Sequence, residues 1–278
     1  MMGAICGDIL GSTYEFEKVK YEDISEIRLM NDTDEFTDDT ALTLAVAEWL
    51  LYDIDKSCDD EELKLMLAKR FVTYALDKFD PSQLGFGARF WRWCCDAKIL
   101  HEYAPIHSYG NGAGMRVSPV GWFFDTLEET LRFAKLTADV THNHPEGEKG
   151  AMCIAAAIFL ARTGKSKQEI KEYLLEEFAY PLLNETYETL RKECVWSEIC
   201  QDTVPMSVVA FLESDNYESA VLNAIAYGSD SDTIADMAGA IAEAYYGGVP
   251  EELLNFCRGR LNEETLILCD EFKKRIKA

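Results

Sequence analysis

The chain reads as an all-α protein, and three observations lead there. Apolar residues recur at helical spacing, helix start signals stand ahead of several of those runs, and no convincing alternating strand occurs. With 278 residues, 48% of them hydrophobic, the chain can bury a sizeable core. Domains of this size bury roughly three quarters of their unfolded surface. No proline-rich linker or charge block divides the sequence, so one domain over residues 1–278 is expected. A solenoid is the structural competitor, but no repeat of ~30 to 45 residues appears.

The elements follow in order. In FTDDTALTLAVAEWL, residues 36–50, Leu42, Ala45, Val46 and Trp49 mark one buried helix face. DDEELKLMLAKRFVTYALDKF and LEETLRFAKLTADV follow with helical patterns of their own. The run AMCIAAAIFLA, 151–161, is apolar all round and predicts a central buried helix. KQEIKEYLLEEFAY and NYESAVLNAIAYG come next, and Ile234, Met237, Ala238 and Ile241 set the face of another helix. There the small residues Ala235, Ala238, Gly239 and Ala242 predict close packing on a neighbour. Thr126 with Glu129, and Ser166 with Glu169, have capping-box spacing, and Pro250 ahead of EELL reads as a helix start.

Composition limits function. With 27 basic and 50 acidic residues the net charge is −23, which disfavours nonspecific binding to nucleic acid or anionic membranes. The nine cysteines include no CxxC pair, so neither a zinc ribbon nor a disulfide framework is expected, and a reducing cytoplasm fits best. The N-terminus, MMGAICGDILGS, lacks a basic flank and carries Asp8, so no signal peptide is expected. The longest apolar run is too short for a bilayer.

Glycine-rich stretches interrupt the helical pattern: GDILGS (7–12), GFGAR (85–89), SYGNGAGMR (108–116), THNHPEG (141–147) and GSDSDT (228–233). Loops held on a rigid helical scaffold are where function concentrates. Two of the acidic segments lead directly into helices, TDDT at 37–40 and SDSDT at 229–233. Helix capping and the helix dipole account for one Asp and one Thr at each. They do not account for Asp38 beside Asp39, or for Asp230 and Asp232 ahead of Thr233. Clustered carboxylates with threonine hydroxyls suit a hard cation such as Mg²⁺ or Mn²⁺. A helix N-terminus is the positive end, so several carboxylates are needed to hold a cation there.

GAICGDILGSTYEF, FTDDT, GFGARFWRW, SYGNGAGMRVSPVGW, THNHPEGEKGA and GSDSDT resemble, in that order and over nearly the whole chain, the ADP-ribosylglycohydrolase family. The paired signature of TDDT with G-[GS]-D-[TS]-D-T is specific. The resemblance implies a compact orthogonal bundle of many helices with a binuclear magnesium site at the base of a cleft. It places Thr37, Asp38 and Asp39 on one side of the metals and Asp230, Asp232 and Thr233 on the other. It also implies that Ser108, Tyr109, Gly110, Asn111 and Gly112 hold the diphosphate and ribose, consistent with glycine letting a backbone approach phosphate. His142 is expected near the cleft, and Gly85, Phe86 and Arg89 either line it or, for Phe86, pack in the core. Glu15 matches an N-terminal acid of the family at the edge of the ribose site; Asp8 is expected to brace the metal loop or cap a turn. His144 is expected to be a hydrogen-bonded loop element.

The expected reaction is hydrolysis of the bond between the distal ribose of ADP-ribose and a leaving group, with ADP-ribose or an ADP-ribosylated target as ligand. Such bonds break through an oxocarbenium-like transition state served by carboxylates, here Asp38, Asp39, Asp230 and Glu15. Two Mg²⁺ (or Mn²⁺) would orient sugar and water. A metal-dependent phosphohydrolase and a non-catalytic ADP-ribose-binding relative are the alternatives. The leaving group stays open: arginine, serine, a nucleobase or a small metabolite. Many members read GGDTDT where this chain has GSDSDT, so Ser229 and Ser231 stand in place of glycine and threonine.

Overall fold

The structure, a computed structural model, describes residues 1–15, 24–55 and 57–277. Fifteen α-helices are found among these residues, and no strand beyond a lone antiparallel bridge between Gly110 and Ile199. The all-helical expectation holds.

The first four helices are α1 (Met2–Ser12), α2 (Asp38–Tyr52), α3 (Asp60–Thr73) and α4 (Ala88–Leu100). Two short helices, α5 (Gly112–Met115) and α6 (Ser118–Phe123), precede α7 (Leu127–Asp139) and the long α8 (Pro145–Arg162). The rest are α9 (Lys167–Phe178), α10 (Tyr187–Glu193), α11 (Cys200–Leu212), α12 (Tyr217–Ile225), α13 (Ser231–Tyr246), α14 (Glu251–Arg258) and α15 (Glu263–Arg275). The pattern that predicted one helix from Asp59 to Phe79 ends α3 at Thr73 and continues as a wider π-helical turn over Tyr74–Lys78.

As its composition predicts, α8 is central, its residues from Ala151 to Ala161 almost wholly buried with α6, α7, α11 and α13 around it. Its N-terminus corrects the sequence reading, since 145–147 forms its first turn rather than a loop. His144 caps that turn by accepting the N–H of Glu146 at 3.1 Å, and Pro145 fits the first helical position, which needs no N–H donor. Ser166 and Glu169 form the full capping box, whereas Thr126 accepts the Glu129 N–H and uses its own proton on the Glu129 carboxylate.

GDILGS is a second correction: it is the body of α1, not a loop. The glycines are there because α1 lies directly on α13. A Cβ at Gly7 would stand 2.1 Å from the Ala235 carbonyl oxygen, and one at Gly11 2.6 Å from the Asp232 Cα. On the α13 side, Gly239 would meet the Gly3 carbonyl oxygen at 2.5 Å. This contact joins the two ends of the chain and sets Asp8 beside the second acidic segment. One continuous hydrophobic cluster runs from Met1 to Phe272. All nine cysteines are free, and no helix among the described residues is long and apolar enough to cross a membrane.

Candidate active site

The two acidic segments meet. Both stand at helix N-termini, Thr37 capping α2 and Asp230 preceding α13. Carboxylate oxygens of Asp8, Asp39 and Asp232 lie within 4.8 Å of one another, as do those of Glu15, Asp230 and Asp232. Asp232 therefore links the two ends of the chain in one cluster. It lies at the floor of a cleft of about 410 Å³.

Asp8 organises the α2 side. Its Oδ2 accepts the backbone N–H groups of Thr37 (3.0 Å) and Thr40 (3.1 Å) and the Thr40 hydroxyl, while its Oδ1 accepts the Thr37 hydroxyl at 2.8 Å. The free N–H groups that open every helix are thus partly answered by α1. Asp38 and Asp39 are left to face the cleft, and the expected bracing and capping roles of Asp8 prove to be one. On the α13 side, Asp230 Oδ2 accepts the Asn111 side-chain amide at 2.6 Å, and Asp232 Oδ1 accepts the Thr233 N–H at 2.8 Å.

Burial raises the pKa of Asp38, Asp39 and Asp232 well above the carboxylate range, and the charges of their acidic neighbours add to it. Burial also raises Asp8, against the opposing hydrogen bonds of Thr40 and Thr37. Glu15, half-buried at the edge of the cluster, is raised to about 7 by burial and then by the charges of Asp230 and Asp8. Asp39 Oδ1 is buried without any hydrogen-bond partner. Such a set, oxygen-only, crowded, and with an orphaned carboxylate oxygen, suits a divalent hard cation.

The glycine loop forms the opposite wall. Ser108 N–H donates to the Thr141 carbonyl, Gly110 N–H to the Ser108 hydroxyl at 3.2 Å, and Asn111 N–H to the Glu198 carbonyl at 2.9 Å. Two loop N–H groups expected to meet a ligand, those of Gly110 and Asn111, therefore hold the loop itself. Asn111 likewise places its amide on Asp230. His142 is buried beneath the loop.

Of the residues expected from sequence, Glu15, Asp38, Asp39, Gly85, Arg89, Ser108, Tyr109, Gly110, Asn111, Gly112, His142, Asp230, Asp232 and Thr233 all line the cleft. Thr37 does not line it; its N–H and hydroxyl are held by Asp8. Phe86 does not line it; its ring stacks on Phe90 (5.5 Å) and Trp91 (6.2 Å), and Phe90 supplies the cleft wall instead. His144 caps α8, as expected of a hydrogen-bonded loop element, and its ring lies 5.1 Å from that of Tyr109.

Sequence reasoning missed Glu198, which lines the cleft, and Arg116, which is fully buried behind its wall. Glu198 is exposed and adds negative charge near Glu15 and Asp230. Its segment is tied to the second acidic loop by Ser229, whose hydroxyl accepts the Ser197 N–H at 3.0 Å. This serine, one of the two that depart from the family pattern, thus has a structural use.

An all-helical chain that gathers acids from its two ends beneath a glycine loop is built as an enzyme around this cleft. Residues 1–277 match the sequence pattern of the ADP-ribosylglycohydrolase family, and the chain belongs to that family, a class of glycosidases acting on ADP-ribosyl linkages. It is 28% identical to ADP-ribosylhydrolase ARH3 of Homo sapiens, covering 99% of this chain and 92% of that one. The Mus musculus protein of the same name is 27% identical, with 99% and 90% covered. ADP-ribosylarginine hydrolase Tri1 of Pseudomonas putida (strain GB-1) is 25% identical over 91% of this chain and 71% of its own. Among solved structures, an ADP-ribosylglycohydrolase-related protein complex has the same fold, with a TM-score of 0.71 at 21% identity, covering 99% of this chain and 95% of that one.

Proposed function

We propose that the chain hydrolyses the glycosidic bond between ADP-ribose and a modified target, a protein side chain or a small molecule, in a reaction that depends on two Mg²⁺ ions (or Mn²⁺). The observation that carries the reading is the convergence of Asp8, Asp39 and Asp232 with Glu15 and Asp230 at one cleft floor. Thr37, Asp38 and Asp39 would hold the cations from the α2 side, and Asp230, Asp232 and Thr233 from the α13 side. When bound, the cations supply Lewis-acid attraction for sugar hydroxyls and water.

The chain's own residues do the rest. The Ser108 hydroxyl, whose oxygen accepts from Gly110, keeps its proton for a phosphate oxygen. Tyr109, exposed at the rim, offers a ring face to a nucleoside. Glu15 touches both the acidic cluster and the open cleft, so its carboxylate is placed to take a proton from the attacking water. Asp38, Asp39 and Asp230 stabilise the positive charge that develops on the ribose ring. In this reading residues 1–278 act as one domain, since the cluster needs α1 and α13 together. A cytoplasmic location, where free thiols stay reduced, belongs to the same reading.

The test is a panel of arginine-, serine- and nucleobase-linked ADP-ribose substrates, incubated with Mg²⁺ and followed by mass spectrometry. Release of intact ADP-ribose, lost in EDTA and in both Asp39→Asn and Asp230→Asn, is the expected result. Activity retained in both variants refutes the metal assignment, and phosphate release in place of ADP-ribose refutes the reaction.

A further inference from the structure

Arg116 has no exposed surface and forms no ion pair among the described residues. Its Nη2 donates to the Thr137 carbonyl and to the Thr141 hydroxyl, both at 3.0 Å, while its guanidinium lies 4.4 Å from the Phe71 ring centre. Nε and Nη1 have no partner. Burying a cation so incompletely satisfied is expensive, and such a group calls for a reason.

The next link gives one. The Thr141 hydroxyl oxygen lies 2.8 Å from His142 Nδ1, and Thr141 is itself fully buried. Arginine can only donate, so the Thr141 oxygen accepts from Arg116 and its own proton must go to another acceptor. Nδ1 is the acceptor in reach. An imidazole that accepts at Nδ1 carries its proton on Nε2. Nε2 lies beneath the glycine loop, 3.8 Å from where a Cβ on Gly110 would stand and 3.0 Å from one on Gly112. With glycine at 112, that nitrogen keeps open space above it.

We propose that Arg116 and Thr141 are positioning residues which fix His142 as the Nε2–H tautomer, so that its N–H is a donor toward the anionic ligand held at the Ser108–Gly112 loop. The ligand half of this inference rests on the functional reading above; the tautomer half does not. Burial and the neighbouring charges of Arg116 and Arg89 lower the His142 pKa well below its ordinary value, which keeps the ring neutral.

The experiment is a long-range ¹H–¹⁵N correlation spectrum of the ¹⁵N-histidine-labelled protein. Four histidines make assignment simple, with His142→Asn identifying the resonance. Wild type should show His142 protonated at Nε2. Thr141→Val, which removes the hydroxyl at nearly constant shape, should lose that preference, and Thr141→Ser should restore it. ADP-ribose should shift the His142 Nε2–H signal, and calorimetry should find its affinity about five- to tenfold weaker in Thr141→Val, the worth of one hydrogen bond. A His142 protonated at Nδ1 in wild type overturns the proposal, and so does a Thr141→Val protein whose tautomer is unchanged. The wild-type spectrum decides the first point even if a variant fails to fold. If ADP-ribose does not bind wild type at all, the functional reading and the ligand half fall together, and the tautomer result is judged on its own.

Discussion

Asp8 and Asp39 are both buried carboxylates of one cluster, yet removing their charge should move stability in opposite directions. Asp8 accepts four hydrogen bonds, from two backbone N–H groups and two hydroxyls. Asp8→Ala removes four bonds at the mouth of α2, and of the four donors only the Thr37 hydroxyl keeps another acceptor, Asp39 Oδ2 at 3.3 Å. At about 1 kcal/mol for each bond the loss approaches ~4 kcal/mol, and relief of crowding among the remaining acids reduces it to roughly 2–3 kcal/mol. Asp8→Asn should fall in the same direction, because its amide nitrogen presents donors to donors. Asp39 has an oxygen with no partner, and its charge is opposed by burial and by Asp8, Asp38, Asp236 and Asp230. Asp39→Asn should therefore stabilise the metal-free protein. The sign follows from its raised pKa, because a carboxylate that prefers its proton in the fold destabilises the fold once pH exceeds its unfolded value. The assay is urea denaturation in EDTA at neutral pH, repeated with Mg²⁺. Adding Mg²⁺ should stabilise wild type and reverse the order of wild type and Asp39→Asn. If Asp8→Asn stabilises the metal-free protein as Asp39→Asn does, Asp8 is not the cap described here.

Three further predictions test the frame and the glycine loop. Gly7→Ala forces a methyl to 2.1 Å from the Ala235 carbonyl, so α1 must move off α13; a loss beyond the usual ~1–3 kcal/mol of overpacking should appear in urea melts, and a wild-type midpoint would contradict the packing. Gly112→Ala brings a methyl to 3.0 Å from His142 Nε2 and should raise KM for ADP-ribosyl substrates with little change in thermal midpoint; an unchanged KM would remove His142 from the ligand site. The lowered His142 pKa means the unfolded chain takes up a proton below about pH 6.5 that the fold refuses, so stability falls as pH falls. Between pH 7 and pH 5 the difference between wild type and His142→Asn should shift by about 2 kcal/mol against wild type, and a constant difference would mean that the ring is protonated in the fold.

The helical frame was legible because it depends on spacing within single segments, which a helix repeats every turn. The clustered acids were legible for another reason: they exceed what capping needs, and excess polar groups beside an apolar run require an explanation. What failed depended on partners distant in sequence. GDILGS looks like a loop because glycine is a poor helix former, yet its glycines answer the backbone of α13 more than two hundred residues away. Phe86 is an aromatic beside a glycine, and only the positions of Phe90 and Trp91 decide that it stacks with them rather than facing the cleft. Glu198 carries no local signal, since its segment becomes part of the site through the Asn111 N–H and the Ser229 hydroxyl. Arg116 was within reach, as a charged residue ending a glycine loop, but its burial was not.

These misses explain how the fold answers the conflict posed by its own sequence. A helix N-terminus repels a cation, and here two of them point at a floor chemically suited to cations. On α2 the repulsion is reduced by Asp8, brought in from another helix, which takes the Thr37 and Thr40 N–H groups and adds a negative charge behind them. On α13 the first-turn N–H of Thr233 is taken by Asp232 from within the same turn, while Asn111 orients Asp230 from the facing loop. The positive ends are thus partly quenched, and Asp38, Asp39 and one oxygen each of Asp230 and Asp232 remain directed at the cleft. The close packing of α1 on α13 is what makes this arithmetic of charge possible, because Asp8 reaches α2 from a helix that must also touch the backbone of Asp232. The glycines of α1 therefore serve the chemistry of the site as much as the packing of the fold.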